Sequence, residues 1–82
     1  MPYVLRPTSD FLKDIAKLDK SIKVIVERRL ERIKDNPRLS KPLEHEANCY
    51  TERIKNYRIL FEVKGTEVIL YRIRKRKHAY LS

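Results

Sequence analysis

The chain has 82 residues, a length that supports one domain (expected over residues 1–82) around a single modest core. Its 20 basic and 11 acidic residues give a formal charge of +9, which favours a polyanionic partner over an acidic-substrate chemistry. One cysteine, Cys49, excludes an internal disulfide framework and a cysteine-built zinc site, and no apolar run approaches the ~18 residues of a membrane span.

Met1-Pro2-Tyr3 opens without a signal-peptide apolar stretch, so a cytoplasmic protein is expected. Residues 3–6 form a short strand-compatible run ended by Pro7. Thr8 or Ser9 then caps a helix by accepting free amide protons of its first turn. Phe11, Leu12, Ile15, Ala16 and Leu18 form an apolar stripe at helical spacing. Asp19 or Ser21 caps a second helix whose stripe is Ile22, Ile25, Val26, Leu30 and Ile33. Glu27 and Glu31 alternate with Arg28, Arg29 and Arg32 on its solvent side. Asn36-Pro37 stops it, because proline disfavours the α-region for the residue before it.

Residues 38–48 read as loop. The period then changes from 3.6 to 2, predicting strands over residues 50–54, 57–63 and 67–74. Lys55-Asn56 and Lys64-Gly65 are the turns, with the lone glycine where a tight hairpin needs positive φ. The fold class is α+β: two N-terminal helices packed on an antiparallel sheet, in the order β-α-α-β-β-β.

Alternation predicts the faces. Tyr50, Glu52 and Ile54, then Tyr57, Ile59, Phe61 and Val63, then Ile69, Tyr71 and Ile73 pack under the helices. The opposite sets gather Arg53, Arg58, Arg72 and Arg74 on one face. Four arginines together repel unless an anion sits among them.

The tail strengthens this reading. Five of the six residues from 72 to 77 are Arg or Lys, and no acid follows Glu67. Arginine grips two phosphate oxygens at once, and an aromatic ring such as that of Tyr80 stacks on a base. RNA is the expected ligand, with Arg53, Lys55, Arg72, Lys75, Arg76, Lys77 and His78 as contacts.

Asn56-Tyr57-Arg58-Ile59-Leu60-Phe61-Glu62-Val63, Val68-Ile69-Leu70-Tyr71 and the tail Arg74-x-Arg76-x-x-x-Tyr80 resemble the RelE side of the RelE/ParE toxin superfamily. The opening, Tyr3-Val4-Leu5, Phe11-Leu12-Lys13-Asp14-Ile15 and Lys17-Leu18-Asp19, resembles the same family's first strand and helix. The resemblance implies a RelE-like fold and a toxin that cleaves messenger RNA in the ribosomal A site. It also implies inhibition by a RelB-like antitoxin, operator DNA bound only through the antitoxin complex, and no cofactor or membrane partner. Arg58 corresponds to a catalytic arginine at the scissile phosphate, Arg74 to the arginine six residues before the terminal tyrosine, and Tyr80 to that tyrosine. Lys55 stands where relatives have glycine in Arg-x-Gly-x-Tyr-Arg. Thr51 and Arg53 stand where active members carry lysines.

In such enzymes the ribose 2′-hydroxyl attacks the adjacent phosphate without a metal. Arginine is a poor proton acceptor, so the base comes from Lys75, Lys77, His78, Glu52 or the ribosome. His45 and Cys49 read as a surface residue and a small buried hydrophobe. Two other readings remain, a ParE-like gyrase inhibitor and a catalytically inactive RNA-binding relative.

Overall fold

Proline and threonine set the first junction of the chain, in a computed structural model that describes residues 3–75. Pro7 ends β1 (Val4–Pro7), and Thr8, in extended conformation, accepts the Phe11 N–H on its hydroxyl at 3.1 Å to open α1 (Ser9–Ala16). Asp19 occupies the N-cap of α2 (Lys20–Asp35), where its backbone carbonyl, not its side chain, takes the first amides. Asn36-Pro37 ends α2 as expected, and a 3-10 turn, Pro37–Leu39, follows.

The strands β2 (Lys41–Pro42), β3 (Cys49–Ile54), β4 (Tyr57–Lys64) and β5 (Glu67–Lys75) join β1 in one sheet of order β1-β5-β4-β3-β2. Both hairpin turns use positive φ, at Gly65 (58°) and at Lys55 (50°). At Gly65 the absent Cβ makes that conformation inexpensive.

Two features of the sheet topology differ from the sequence reading. The sheet is mixed, because β1 runs parallel to β5; only β2 to β5 are mutually antiparallel. Residues 41 and 42, read as loop, form an edge strand against β3. Two residues are too few to show a period, and Pro42 is tolerated because it lies on the edge.

The helices cover one face of the sheet. Phe11, Val26 and Ile33 meet Tyr50, Ile54, Ile59, Phe61, Val63, Val68, Leu70 and Ile73 in a single core, with the Tyr50 and Phe61 rings stacked at 5.6 Å. The predicted faces hold on β3 and β4 but fail on the first part of β5. There Val68 and Leu70 are buried, whereas Tyr71 is exposed and Ile69 only partly covered. A bulge is the cause. Leu60 pairs with Arg72 and Phe61 with Leu70, leaving Tyr71 as the extra residue, and this flips the alternation so that Ile73 returns to the core beside Ile59.

Candidate nucleic-acid interface

The strand register places three arginines in line. Arg53 on β3 lies directly opposite Arg58 on β4, and Arg58 lies directly opposite Arg74 on β5. Each is exposed on the face away from the helices, at the end of the sheet where β5 finishes. Cross-strand neighbours have Cβ atoms about 4.5–5.5 Å apart, and like charges so placed destabilise the sheet. Among the described residues none of the three meets a carboxylate within ion-pair distance.

The carboxylates that could neutralise the row are engaged elsewhere. Glu52 points to the covered side, where Arg29 Nη1 donates to Oε2 at 2.5 Å, Ser40 Oγ donates to Oε1 at 2.7 Å, and Arg32 stands at 3.5 Å. Arg29 and Arg32, expected on the solvent side of α2, are therefore turned toward the sheet. Glu62 shares the outer face but accepts the Tyr71 hydroxyl at 2.6 Å. Glu67 is held by Arg6 through Nη2 at 2.8 Å.

Arg72, expected as a fourth member of the cluster, is held away from it. Its Nε and Nη2 donate to the two oxygens of Asp14 on α1 at 2.8 and 3.2 Å, and the Ile73 amide donates to Asp14 Oδ2 at 2.9 Å. The physical reason lies at the edge of β5. Its parallel partner β1 ends at Pro7, opposite Leu70, so the next backbone groups need other partners. Thr8 serves Leu70 and Tyr71, donating its amide to one carbonyl at 3.0 Å and its hydroxyl to the other at 3.1 Å, and Asp14 serves Ile73. The Arg72 guanidinium holds the Asp14 carboxyl below the usual carboxylate range, with partial burial opposing.

Lys55 and Lys75 lie at the same end of the sheet, Lys55 at the β3–β4 hairpin tip and Lys75 opposite Tyr57. Arg76, Lys77, His78 and Tyr80 lie outside the described residues.

The family model of the ParE toxin of type II toxin–antitoxin systems (ParDE) matches residues 5–80. The RelBE2 toxin–antitoxin complex of Mycobacterium tuberculosis contains a chain similar to this one, with 30% identity and a TM-score of 0.80 over 93% of each chain. This chain belongs to the RelE/ParE toxin superfamily. The fold of the isolated Escherichia coli RelE toxin matches with a TM-score of 0.87 at 20% identity, covering 96% of this toxin and 89% of that chain. The chromosomal ParDE system of Pseudomonas aeruginosa gives 0.73 at 14% identity, over 92% and 97%. No curated protein matches the toxin's sequence.

Sequence reasoning missed the residues that sort the toxin's arginines. Asp14 was visible only as a polar residue outside a helical stripe, and the Glu52 cluster joins elements far apart in sequence. Lys55 adopts the left-handed backbone that a glycine takes without strain. Burial raises the pKa of the Cys49 thiol, with Glu62 and Glu46 adding to the effect, which disfavours the thiolate. Among the described residues no group of three or more His, Cys, Asp or Glu is placed to hold a metal ion, and no helix is long and apolar enough to cross a membrane.

Proposed function

We propose that this toxin is a ribosome-dependent messenger endoribonuclease acting in the A site. The Arg53–Arg58–Arg74 row carries the reading: three guanidinium groups in register, on an open face, none paired with a carboxylate among the described residues. In the reaction the ribose 2′-oxygen bonds to the adjacent phosphorus and the bond to the 5′-oxygen breaks. The products are a cyclic phosphate and a free 5′-hydroxyl, with one proton taken from the 2′-hydroxyl and one returned to the leaving oxygen. Arg58, flanked on both sides, fixes the phosphate and stabilises charge growing on its oxygens; Arg74 acts beside it, and Tyr80 stacks on the messenger.

Glu52 is unsuited as the base, because it is buried on the helix side and holds Arg29 and Ser40. Lys75 lies opposite Tyr57, which packs on the helix side, so it belongs to the other face from Arg74. Lys77, His78 and the ribosome itself are the sources left for the base. A RelB-like antitoxin, the partner in the Mycobacterium tuberculosis complex, neutralises the row with acidic side chains. Operator DNA is bound only through that complex.

Primer extension on programmed ribosomes tests the proposal. Wild type gives new cuts in the A-site codon, and Arg58→Ala lowers their rate by about 10²–10³-fold, the usual effect of removing one such donor. Intact messenger with folded protein at saturation overturns it. The ParE family match and the likeness to the Pseudomonas aeruginosa system favour a second reading, inhibition of gyrase. Loss of DNA supercoiling with intact messenger selects it, and salt-sensitive RNA binding with neither activity selects an inactive relative.

A further inference from the structure

The arginine row stops at β3, but the sheet continues to β2. Lys41 there lies directly opposite Thr51, and Pro42 opposite Tyr50. Directly opposed residues of an antiparallel pair share a face. Tyr50 is buried in the core, so Thr51 and Lys41 belong to the outer face that carries the arginines. Lys41 is the diagonal neighbour of Arg53, at the roughly 7–8 Å typical of such pairs and within the reach of two long side chains.

Its backbone is firmly placed. Ser40 is buried and donates to Glu52 at 2.7 Å, and the Leu43 amide donates to the Cys49 carbonyl at 2.9 Å. On the preceding turn, Arg38 donates to the Tyr50 hydroxyl at 2.8 Å. Lys41 is thus exposed, set between anchored neighbours, and without a carboxylate partner among the described residues.

We infer that Lys41 is an RNA-backbone contact, extending the phosphate track from Arg74 through Arg58 and Arg53 to the β2 edge. The track crosses three strand spacings, roughly 14 Å, so the strand lies across the sheet and Lys41 takes a phosphate flanking the one at Arg58. The inference rests on the proposal that the arginine row binds RNA. Lys41 makes its contact equally in ground and transition states, so its loss raises KM and leaves kcat unchanged.

The test uses the isolated toxin and a single-stranded RNA with 2′-deoxy substitutions that block cleavage, with affinity followed from about 50 to 200 mM salt. Lys41→Ala lowers the salt slope by about 0.7, the value for one phosphate on a single strand. Lys41→Arg restores it, and Lys20→Ala, an exposed lysine on α2, leaves it unchanged. A Lys41→Ala slope equal to wild type, with Arg58→Ala clearly lower, overturns the inference alone. So does an equal fall for Lys20→Ala, which reports net charge only. Wild-type binding that ignores Arg58→Ala overturns the arginine-row reading and the inference together.

Discussion

Two sets of arginines in this toxin differ in what answers their charge. Arg29, Arg32 and Arg72 each reach a carboxylate, Glu52 for the first two and Asp14 for the third. Arg53, Arg58 and Arg74 reach none among the described residues and face each other across the strands. The first set joins helices to the sheet and serves the fold. The second costs the sheet repulsion that an anionic ligand removes. The same side chain is paired with a carboxylate or left facing its own kind according to which face and which register position it occupies.

The largest stability effect expected from breaking this division is at Glu52. Glu52→Ala leaves Arg29, Arg32 and Ser40 without their shared acceptor beneath the sheet. The expected loss is about 3 kcal/mol, the low end for a broken buried pair, because Arg29 keeps 31% of its side-chain surface exposed. Urea unfolding of the isolated toxin measures it, and a loss well under 1 kcal/mol, on the order of a surface pair, would place Glu52 outside the fold's supports.

Asp14 comes next and adds a pH signature. Removing a carboxylate that holds Arg72 and the Ile73 amide costs about 1–3 kcal/mol. The folded-state pKa of Asp14 is depressed, chiefly by Arg72. Its stabilisation is therefore complete above the unfolded value of about 3.9 and is lost as pH falls through the folded one. Unfolding free energies of wild type and Asp14→Asn converge between neutral and strongly acid pH. A gap that stays constant over that range would mean that charge is not what Asp14 contributes.

How far the sequence carried can be judged from particular residues. Thr8, Pro37 and Gly65 mark boundaries through local backbone chemistry, and the structure puts a cap, a helix stop and a turn there. Arg53, Arg58 and Arg74 were assigned to one face by alternation alone, and the register then aligned them. Val68, Leu70 and Tyr71 were misplaced because a bulge at Tyr71 depends on the partner strand, which alternation within one strand does not encode. Arg72 keeps the predicted face and is drawn from the row by Asp14. The place of Lys41 on the sheet was missed because a two-residue strand exists only through its neighbour β3. The partners of Glu52 and Asp14 come from elements brought together only by folding. What was legible was local; what was not depended on pairing.

The smallest effect is the most discriminating, because its sign is unusual. Arg58 sits between Arg53 and Arg74, so Arg58→Ala removes repulsion with both neighbours. The side chain is exposed, and no carboxylate among the described residues loses a partner. Each like-charge cross-strand pair costs roughly 0.2–1 kcal/mol, so the variant is expected to be more stable than wild type by an amount of that order. Arginine stems also cover neighbouring apolar surface, and that loss works against the gain. The two are separated by salt. Repulsion is screened within about 10 Å at 0.1 M salt and within about 3 Å at 1 M, whereas packing is not screened. The stabilisation of Arg58→Ala relative to wild type shrinks as salt rises, and a difference that ignores salt would show that the row is not electrostatically strained. A toxin that gains stability when Arg58 is removed, while losing the proposed cleavage, has placed that residue for its ligand and not for its fold.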